Sequence, residues 1–278
     1  MEISRHICFS REKAPELADY LLDHGLADSA SPGIVTLDIA EGNPHYSYVW
    51  SIVQQKQLFF LSETIFTKEE LDSALWLRVR SQWRFGYPQP EGNFEYDRIT
   101  YSPENRCLQC NCGLQQVKPF RIKKVPKWGK RFFGELNWIG DELFLNNAAK
   151  ELLADNKLTG IAFLNVENKK GTEKLSDINQ LYIQYVLEPG MEEKQKYIRQ
   201  RSICPTCGRM KYVPSGVGSL QLPDRLFRNA PDFAKTQEYF GDGSYAARAI
   251  IVSQRVYRVI TENKMDRGLV FEPVNLPV

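Results

Sequence analysis

Long apolar runs and net charge are both scarce in this sequence, and each shortage excludes a class of protein. The purely apolar runs, such as residues 58–61, are far shorter than the ~20 residues that a membrane-crossing helix needs. Residues 1–6 mix both charge signs without an apolar segment behind them, which predicts that no signal peptide is present. A net charge of +2 creates no general attraction for nucleic acid or acidic lipid. We therefore expect a cytoplasmic protein that binds no membrane.

Catalytic motifs are also lacking. The sequence contains neither the glycine-rich patterns that bind phosphates and dinucleotides nor a GxSxG nucleophile turn. His6, His24 and His45 are scattered without a partner at metal-binding or catalytic spacing. A hydrophobic content of 42% and a charged content of 25% are typical of a globular chain. The sequence thus predicts a globular protein of about two domains that is not an enzyme.

Cysteine is scarce too, yet five of the six cysteines lie in two short clusters. The first reads Cys107-Leu-Gln-Cys110-Asn-Cys112-Gly, and the second reads Cys204-Pro-Thr-Cys207-Gly. The CxxC spacing lets two thiolates on one tight turn bind the same metal ion, and a following glycine suits that turn. Two such turns, called knuckles below, supply the four sulfur ligands of a structural zinc. We predict one zinc per chain, bound by Cys107, Cys110, Cys204 and Cys207.

The knuckles leave two alternatives open. Cys112 could replace Cys110 as a ligand, although Cys107 and Cys110 have the standard spacing. A thioredoxin-like redox role is less favoured, because such motifs occur singly at a helix N-terminus. No histidine or carboxylate lies near enough in sequence to suggest an open catalytic site, which favours a closed structural one. The remaining cysteine, Cys8, is expected to be a small buried side chain.

Residues 1–95 are predicted to form a mixed α/β region of unknown role. Leucines at helical spacing predict a helix over residues 14–24. Residues 34–39 and 58–61 are rich in apolar and β-branched residues and are predicted to be strands. The stretch over residues 85–92 is rich in proline and glycine, so it is predicted to be a loop and the boundary between the two domains.

Residues 96–278 are predicted to form a zinc-ribbon domain, which makes the whole chain an α+β protein. Residues 94–101 alternate as a strand that leads to the first knuckle. Residues 181–187 form a second predicted strand ahead of the other knuckle. Strands near each knuckle are typical of a zinc ribbon, in which the metal joins two β-hairpins.

An internal repeat lies within that second domain. Residues 143–166 and residues 250–274 share the order strand, polar cap, amphipathic helix, Asn-Lys, Gly and strand. Each copy predicts a β-α-β unit of about 25 residues, with a short helix and tight loops between its strands. Such units can resemble each other by chance, but the shared Asn-Lys and Gly favour a true duplication. We expect the two units to pack into one layer.

A basic stretch follows the first knuckle, because residues 114–134 contain no acidic residue. Aromatic residues interleave with cations over residues 118–133, a composition that suits a groove for single-stranded nucleic acid. The alternatives are a solvated face whose rings lie in the core, or a docking surface for an acidic protein. The cations are Lys118, Arg121, Lys123, Lys124, Lys127, Lys130 and Arg131, and the rings are Phe120, Trp128, Phe132 and Phe133.

A family resemblance combines several of these motifs. The knuckles, the Leu-Pro-Asp-Arg-Leu-Phe-Arg segment over residues 222–228 and the closing unit over residues 250–274 resemble the double-CXXCG motif immunity proteins of bacteria. The resemblance covers roughly residues 100–276. It implies a protein that binds and neutralises a cognate protein toxin in the producing cell, and it matches the four cysteines of the predicted zinc site.

The chain departs from the family pattern in two places. Asn111 and Cys112 precede the glycine of the first knuckle, and residues 1–95 have no counterpart. The alternative function, drawn from composition, is a nucleic-acid-binding zinc-ribbon protein that uses residues 118–133. The two functions differ in their expected response to salt, since binding to phosphates weakens steeply as salt rises.

Overall fold

The structure, a computed structural model, describes residues 1–27, 33–192, 195–242 and 246–276. Within these ranges the chain mixes helices with three β-sheets, in agreement with the predicted mixture. The chain folds as two compact units: Met1–Glu70 with Ser215–Ser219, and Leu71–Pro214 with the chain from Leu220 onward. Among the described residues, no helix is both long and apolar enough to cross a membrane.

The first unit contains an antiparallel sheet of three strands and two helices that pack on it. Its elements are β1 (Glu2–Ser10), α1 (Pro15–Asp23), β2 (Ile34–Ala40), α2 (Tyr46–Gln55) and β3 (Phe59–Ile65), and α3 (Lys68–Ser73) leads into the second unit. The strand order is β2-β1-β3. The predicted helix over residues 14–24 and the predicted strands over residues 34–39 and 58–61 are confirmed, the last extending to Ile65.

Alternating apolar residues determine which face of this sheet is buried. Ile7 of β1 and Ile39 of β2 are buried with Leu17 and Leu21, which share one face of α1. Pro15 opens α1, where its missing N–H costs no hydrogen bond because the first N–H groups of a helix have no intrahelical partner. The first unit therefore has a hydrophobic core of its own.

The second unit contains a six-stranded sheet and a five-stranded sheet. Its strands are β4 (Trp76–Ser81), β5 (Arg121–Ile122), β6 (Phe133–Gly134), β7 (Leu143–Leu145), β8 (Ile161–Asn168), β9 (Lys174–Ile183), β10 (Ile198–Ile203), β11 (Met210–Pro214), β12 (Phe233–Phe240), β13 (Ala247–Ser253) and β14 (Leu269–Pro273). Its helices are α4 (Tyr96–Thr100), α5 (Asn147–Asp155) and α6 (Gln254–Glu262), with short 3-10 turns at Gly92–Phe94 and Asp224–Phe227. The strand orders are β10-β11-β12-β13-β4-β14 and β5-β8-β9-β7-β6. Neighbouring strands are antiparallel, except for the parallel pairs β11-β12 and β5-β8.

The predicted domain boundary at residue 95 is wrong, because the chain leaves the first unit at Glu70. The strand β4 explains the difference, since it pairs with both β13 and β14 near the end of the chain. Leu77 and Val79 of β4 are buried in the core of the second unit. The loop over residues 85–92 therefore lies inside that unit.

The predicted strand over residues 94–101 is also wrong, because the chain there forms a 3-10 turn followed by α4. Asn93 and Phe94 have φ angles of 48° and 56°, and this left-handed conformation is incompatible with a strand. The predicted strand over residues 181–187 is confirmed only as far as Ile183, where β9 ends. The first knuckle is therefore not preceded by a strand.

Both repeat segments fold as strand, helix and strand: β7-α5-β8 and β13-α6-β14. In each, the two strands flank a third, antiparallel strand, which is β9 in the first and β4 in the second. Asn146 Oδ1 accepts a hydrogen bond from the Ala149 N–H at 3.0 Å, and Ser253 Oγ accepts one from the Val256 N–H at 3.4 Å. The prediction of a single layer is wrong, because the two segments lie in different sheets. Their inner faces share one hydrophobic core, and their common origin stays a prediction.

Candidate metal centre

The second knuckle is the tight turn between β10 and β11. The Gly208 N–H donates to the Cys204 carbonyl oxygen at 2.9 Å, and the Cys204 N–H donates to the Arg209 carbonyl oxygen at 3.0 Å. Gly208 has a φ of 70°, a conformation that glycine adopts without steric cost. These bonds turn the chain sharply, so the sulfur atoms of Cys204 and Cys207 reach the same cluster.

The first knuckle repeats this backbone pattern without a flanking hairpin. The Asn111 N–H donates to the Cys107 carbonyl oxygen at 2.8 Å, and the Cys107 N–H donates to the Cys112 carbonyl oxygen at 3.1 Å. Asn111 has a φ of 53° and takes the place that Gly208 has in the second knuckle. Asparagine tolerates the left-handed conformation better than most side chains, which explains why Gly113 is not the turn residue. The predicted ribbon has a hairpin at each knuckle, whereas the structure has a hairpin only at the second knuckle.

The four predicted ligand sulfur atoms lie together. The Sγ atoms of Cys107 and Cys204 are 3.7 Å apart, those of Cys110 and Cys207 are 3.6 Å apart, and all four lie within 4.8 Å of one another. A disulfide would require about 2.05 Å, so these thiols are free. A tetrahedron whose corners lie about 2.3 Å from a central ion has edges of about 3.8 Å, close to both separations. The four residues therefore fit a four-coordinate metal ion.

Cys112 lies beside this cluster but outside it. Its thiol is buried, and its Sγ atom lies 3.7 Å from the Cys110 carbonyl oxygen. Burial also raises the pKa of Cys112, which favours the neutral thiol. The geometry thus brings Cys110, and not Cys112, to the other three sulfur atoms. Cys8, which was expected to be buried, is half-buried in the first unit.

Backbone N–H groups stabilise the thiolate of the first cysteine in each knuckle. The N–H groups of Cys207 and Thr206 lower the pKa of Cys204 to about 6. The Cys110 N–H likewise lowers the pKa of Cys107. Burial instead raises the pKa of Cys110, so that thiol ionises readily only beside a cation. Metal binding at this cluster would therefore release protons and would weaken at low pH.

Polar contacts outside the sulfur atoms also join the two knuckles. The Thr206 hydroxyl donates to the side-chain oxygen of Gln109. The Arg209 guanidinium donates to the Cys112 carbonyl oxygen at 3.2 Å. Each of these pairs is separated by 97 residues in sequence, so the cluster holds distant parts of the chain together.

The basic stretch places its lysines in solvent and its rings in the core. Phe120, Trp128 and Phe133 are at most 7% exposed and belong to the cores of the second unit. The exposed lysines are Lys118, Lys123, Lys124, Lys127 and Lys130. Buried rings cannot stack on nucleic acid bases, so the groove predicted for single-stranded nucleic acid lacks its stacking surface. The burial of these rings agrees with the interpretation that they lie in the core, and the docking surface for an acidic protein stays a prediction.

The structure also brings together residues that no sequence spacing connected. In the first unit, the ring centroids of His24 and His45 are 4.9 Å apart, and the Tyr20 hydroxyl lies 2.6 Å from His45 Nδ1. In the second unit, the buried Lys235 ammonium lies 2.6 Å from a carboxylate oxygen of the buried Glu142. Both clusters form where separate elements meet, so a pattern within one element could not have predicted them.

Comparison with known proteins adds no relative. No protein-family model matches the chain, and no curated protein matches it.

Proposed function

We propose that this chain is an immunity protein, which binds a cognate bacterial toxin in the cytoplasm of the producing cell and neutralises it. The observation that carries the proposal is the meeting of two CxxC knuckles from distant segments. Residues 222–228 and the unit over residues 250–274 follow these knuckles in the sequence. This combination is the basis of the resemblance to double-CXXCG motif immunity proteins.

We propose zinc as the metal of the cysteine cluster. Cys107, Cys110, Cys204 and Cys207 would hold it, and their separations suit a tetrahedral ion with sulfur ligands. When bound, zinc would act as a cross-link, because four protein ligands leave no coordination position for a substrate. Its role in this proposal is therefore structural.

The exposed lysines of the basic stretch are the proposed contact surface for the toxin. Toxin neutralisation needs a surface that is ordered before the partner arrives, since ordering a loop during binding lowers affinity. The buried rings of Phe120 and Trp128 anchor the stretch to the core. Several exposed cations on an anchored segment suit an acidic face on the toxin. The nucleic-acid alternative keeps these lysines but lacks exposed rings among them.

Calorimetry with the toxin of the neighbouring gene tests this proposal. The zinc-loaded protein should bind an inactive variant of that toxin tightly, with one toxin per chain. The double variant Lys124→Glu/Lys127→Glu should weaken binding by about tenfold or more, because rim charges steer and orient a partner. The matched control is Lys169→Glu/Lys170→Glu, since these two lysines are exposed but lie outside the stretch. Failure of the zinc-loaded protein to bind the toxin would reject the immunity function.

We also propose that the two β-α-β segments arose by duplication. Beyond the equivalent helix caps, Lys157 and Lys264 share left-handed φ angles of 49° and 57° just after their helices. Gly160 and Gly268 share φ angles of 85° and 88° before the second strand. To test the equivalence, the loop over residues 263–268 would replace the loop over residues 156–160. The chimera should still unfold cooperatively in urea, whereas loss of folding would contradict the equivalence of the two loops.

A further inference from the structure

Two adjoining cavities lie beside the first knuckle, inside the second unit. Their volumes are about 490 Å³ and about 180 Å³, and both are lined by Tyr101, Asn111 and Asp141. Small-molecule sites in proteins have volumes of about 300–1,000 Å³, so the larger cavity alone reaches that range. The cysteines of the metal cluster do not line either cavity.

Exposed aromatic side chains in an unusual backbone conformation line the larger cavity. Phe94 and Trp138 are 54% and 36% exposed, and their ring centroids are 4.7 Å apart. Their φ angles are 56° and 69°, in the left-handed region that bulky residues seldom occupy. Such strain persists where the surrounding structure enforces it, and it concentrates at functional sites. Two large rings are therefore held in solvent beside a concave surface.

The same walls contain one buried polar atom without a partner and one weakly paired carboxylate. Tyr101 is 6% exposed and lines both cavities. Arg248 lines the smaller cavity with a buried Nε atom that has no hydrogen-bond partner. Asp141 makes one long contact, 3.7 Å to the Nζ atom of Lys235, which lies closer to another carboxylate. Unsatisfied groups of this kind are unfavourable unless a ligand or water pairs with them.

The other charged side chains that line the larger cavity are either paired with each other or exposed at its rim. Arg106 donates to Asp97 at 2.5 Å, and both side chains are largely buried, so the pair is already neutral. Arg98 is exposed at the rim. Among the described residues, the walls thus offer two cations without an ion pair, Arg98 at the exposed rim and the half-buried Arg248 of the smaller cavity, and one weakly paired anion, Asp141. The aromatic rings line the larger cavity, which shares Asp141 with the smaller one.

We propose that these cavities bind an α-amino acid with an aromatic side chain, as the zwitterion. Its carboxylate would pair with Arg248 and its ammonium group with Asp141. The Tyr101 hydroxyl would bond to one of these charged groups, and the aromatic ring would lie against Phe94 and Trp138. A ligand with a single charge would leave one of the two wall charges unpaired, which disfavours it. This inference is independent of the proposed immunity function.

Calorimetry on the zinc-loaded protein tests the proposal with L-tryptophan as the probe. We expect binding with a Kd of about 1 mM or tighter. N-acetyl-L-tryptophan lacks the ammonium charge and L-tryptophan amide lacks the carboxylate charge, so each should bind about tenfold or more weakly, because charge-assisted hydrogen bonds are the strong ones. L-Alanine, which lacks the ring, should also bind more weakly. Absence of L-tryptophan binding, or equal affinity for all four probes, would overturn the proposal.

Two variants assign the charges of the ligand to the two wall residues. Asp141→Asn should abolish the preference for L-tryptophan over its N-acetyl derivative and keep the preference over the amide. Arg248→Gln should do the reverse. Arg98→Gln is the matched control, because this arginine is exposed at the rim, and it should keep both preferences. Unchanged preferences in both wall variants, with melting temperatures near that of the parent protein, would remove these residues from the site and reject the proposal.

Discussion

Removing two sulfur ligands from the cluster should destabilise the second unit strongly. The change is Cys204→Ser/Cys207→Ser, which empties one knuckle and leaves a metal with at most two of its four ligands. The cluster joins segments 97 residues apart. Cross-linking a loop of about 100 residues lowers the free energy of the folded state relative to the unfolded chain by about 4.7 kcal/mol in the chain-entropy model. A domain is stable by about 5–15 kcal/mol, so this loss is a large part of the total.

The assay is urea unfolding, with bound zinc measured by elemental analysis on protein purified without added metal. The parent protein should contain one zinc per chain, and the double variant should contain none and lose about 4–5 kcal/mol of unfolding free energy. Cys112→Ser is the matched control, because this cysteine is buried beside the cluster but outside the set of four. It should retain zinc. Equal unfolding midpoints for the parent and the double variant would refute the reasoning, and loss of zinc from Cys112→Ser would reassign the ligands.

Three further predictions concern local interactions. Asn146→Ala and Ser253→Ala each remove a helix cap, and each should lower the free energy of unfolding in urea by about 1 kcal/mol. If the two losses differ by about 1 kcal/mol, the caps of the two repeat segments are not equivalent. Lys235→Met should cost about 3–5 kcal/mol because it leaves Glu142 buried without its partner, and adding Glu142→Leu should recover part of that loss. Burial alone would lower the pKa of Lys235, but the carboxylates of Asp141 and Glu142 outweigh burial and raise it. The contribution of Lys235 to the free energy of unfolding should therefore persist below about pH 10 and disappear as the pH rises through the raised pKa. In metal-free protein, the lowered pKa of Cys204 means that its thiolate stabilises the fold fully above about pH 8.5, the pKa of an unfolded cysteine. This stabilisation is lost as the pH falls through about 6, the pKa of Cys204 in the folded protein. Alkylation of Cys204 followed by mass spectrometry should therefore show a midpoint near pH 6, and a midpoint near 8.5 would contradict the effect of the N–H donors.

The mixed fold and the cysteine cluster could be predicted because both depend on residue types and spacings within short segments of the sequence. A CxxC pair must turn sharply to bring its thiolates together, and four such sulfur atoms leave few alternatives to a shared site. Helical spacing over residues 14–24 and β-rich composition over residues 34–39 also depend only on neighbours in sequence. These predictions needed no knowledge of how distant segments meet.

Other predictions failed where alternation and composition did not decide the backbone conformation or the pairing partner. Residues 94–101 alternate like a strand, yet the left-handed φ of Phe94 ends any extended conformation there. The loop over residues 85–92 has the composition of a boundary, but β4 before it pairs with strands at the end of the chain. Composition near a loop cannot reveal pairing partners that lie far away in sequence.

The sequence by itself determined the residue types that can hold a metal, the helices of the repeat segments and the cationic character of residues 118–133. Only the tertiary structure decided that Asn111 takes the turn position of the first knuckle and that the rings of the basic stretch are buried. It also decided that Asp141 and Arg248 line one cavity. The physical reason is that turns and helices are set by interactions between near neighbours, whereas burial and cavities depend on which distant surfaces the folded chain packs together.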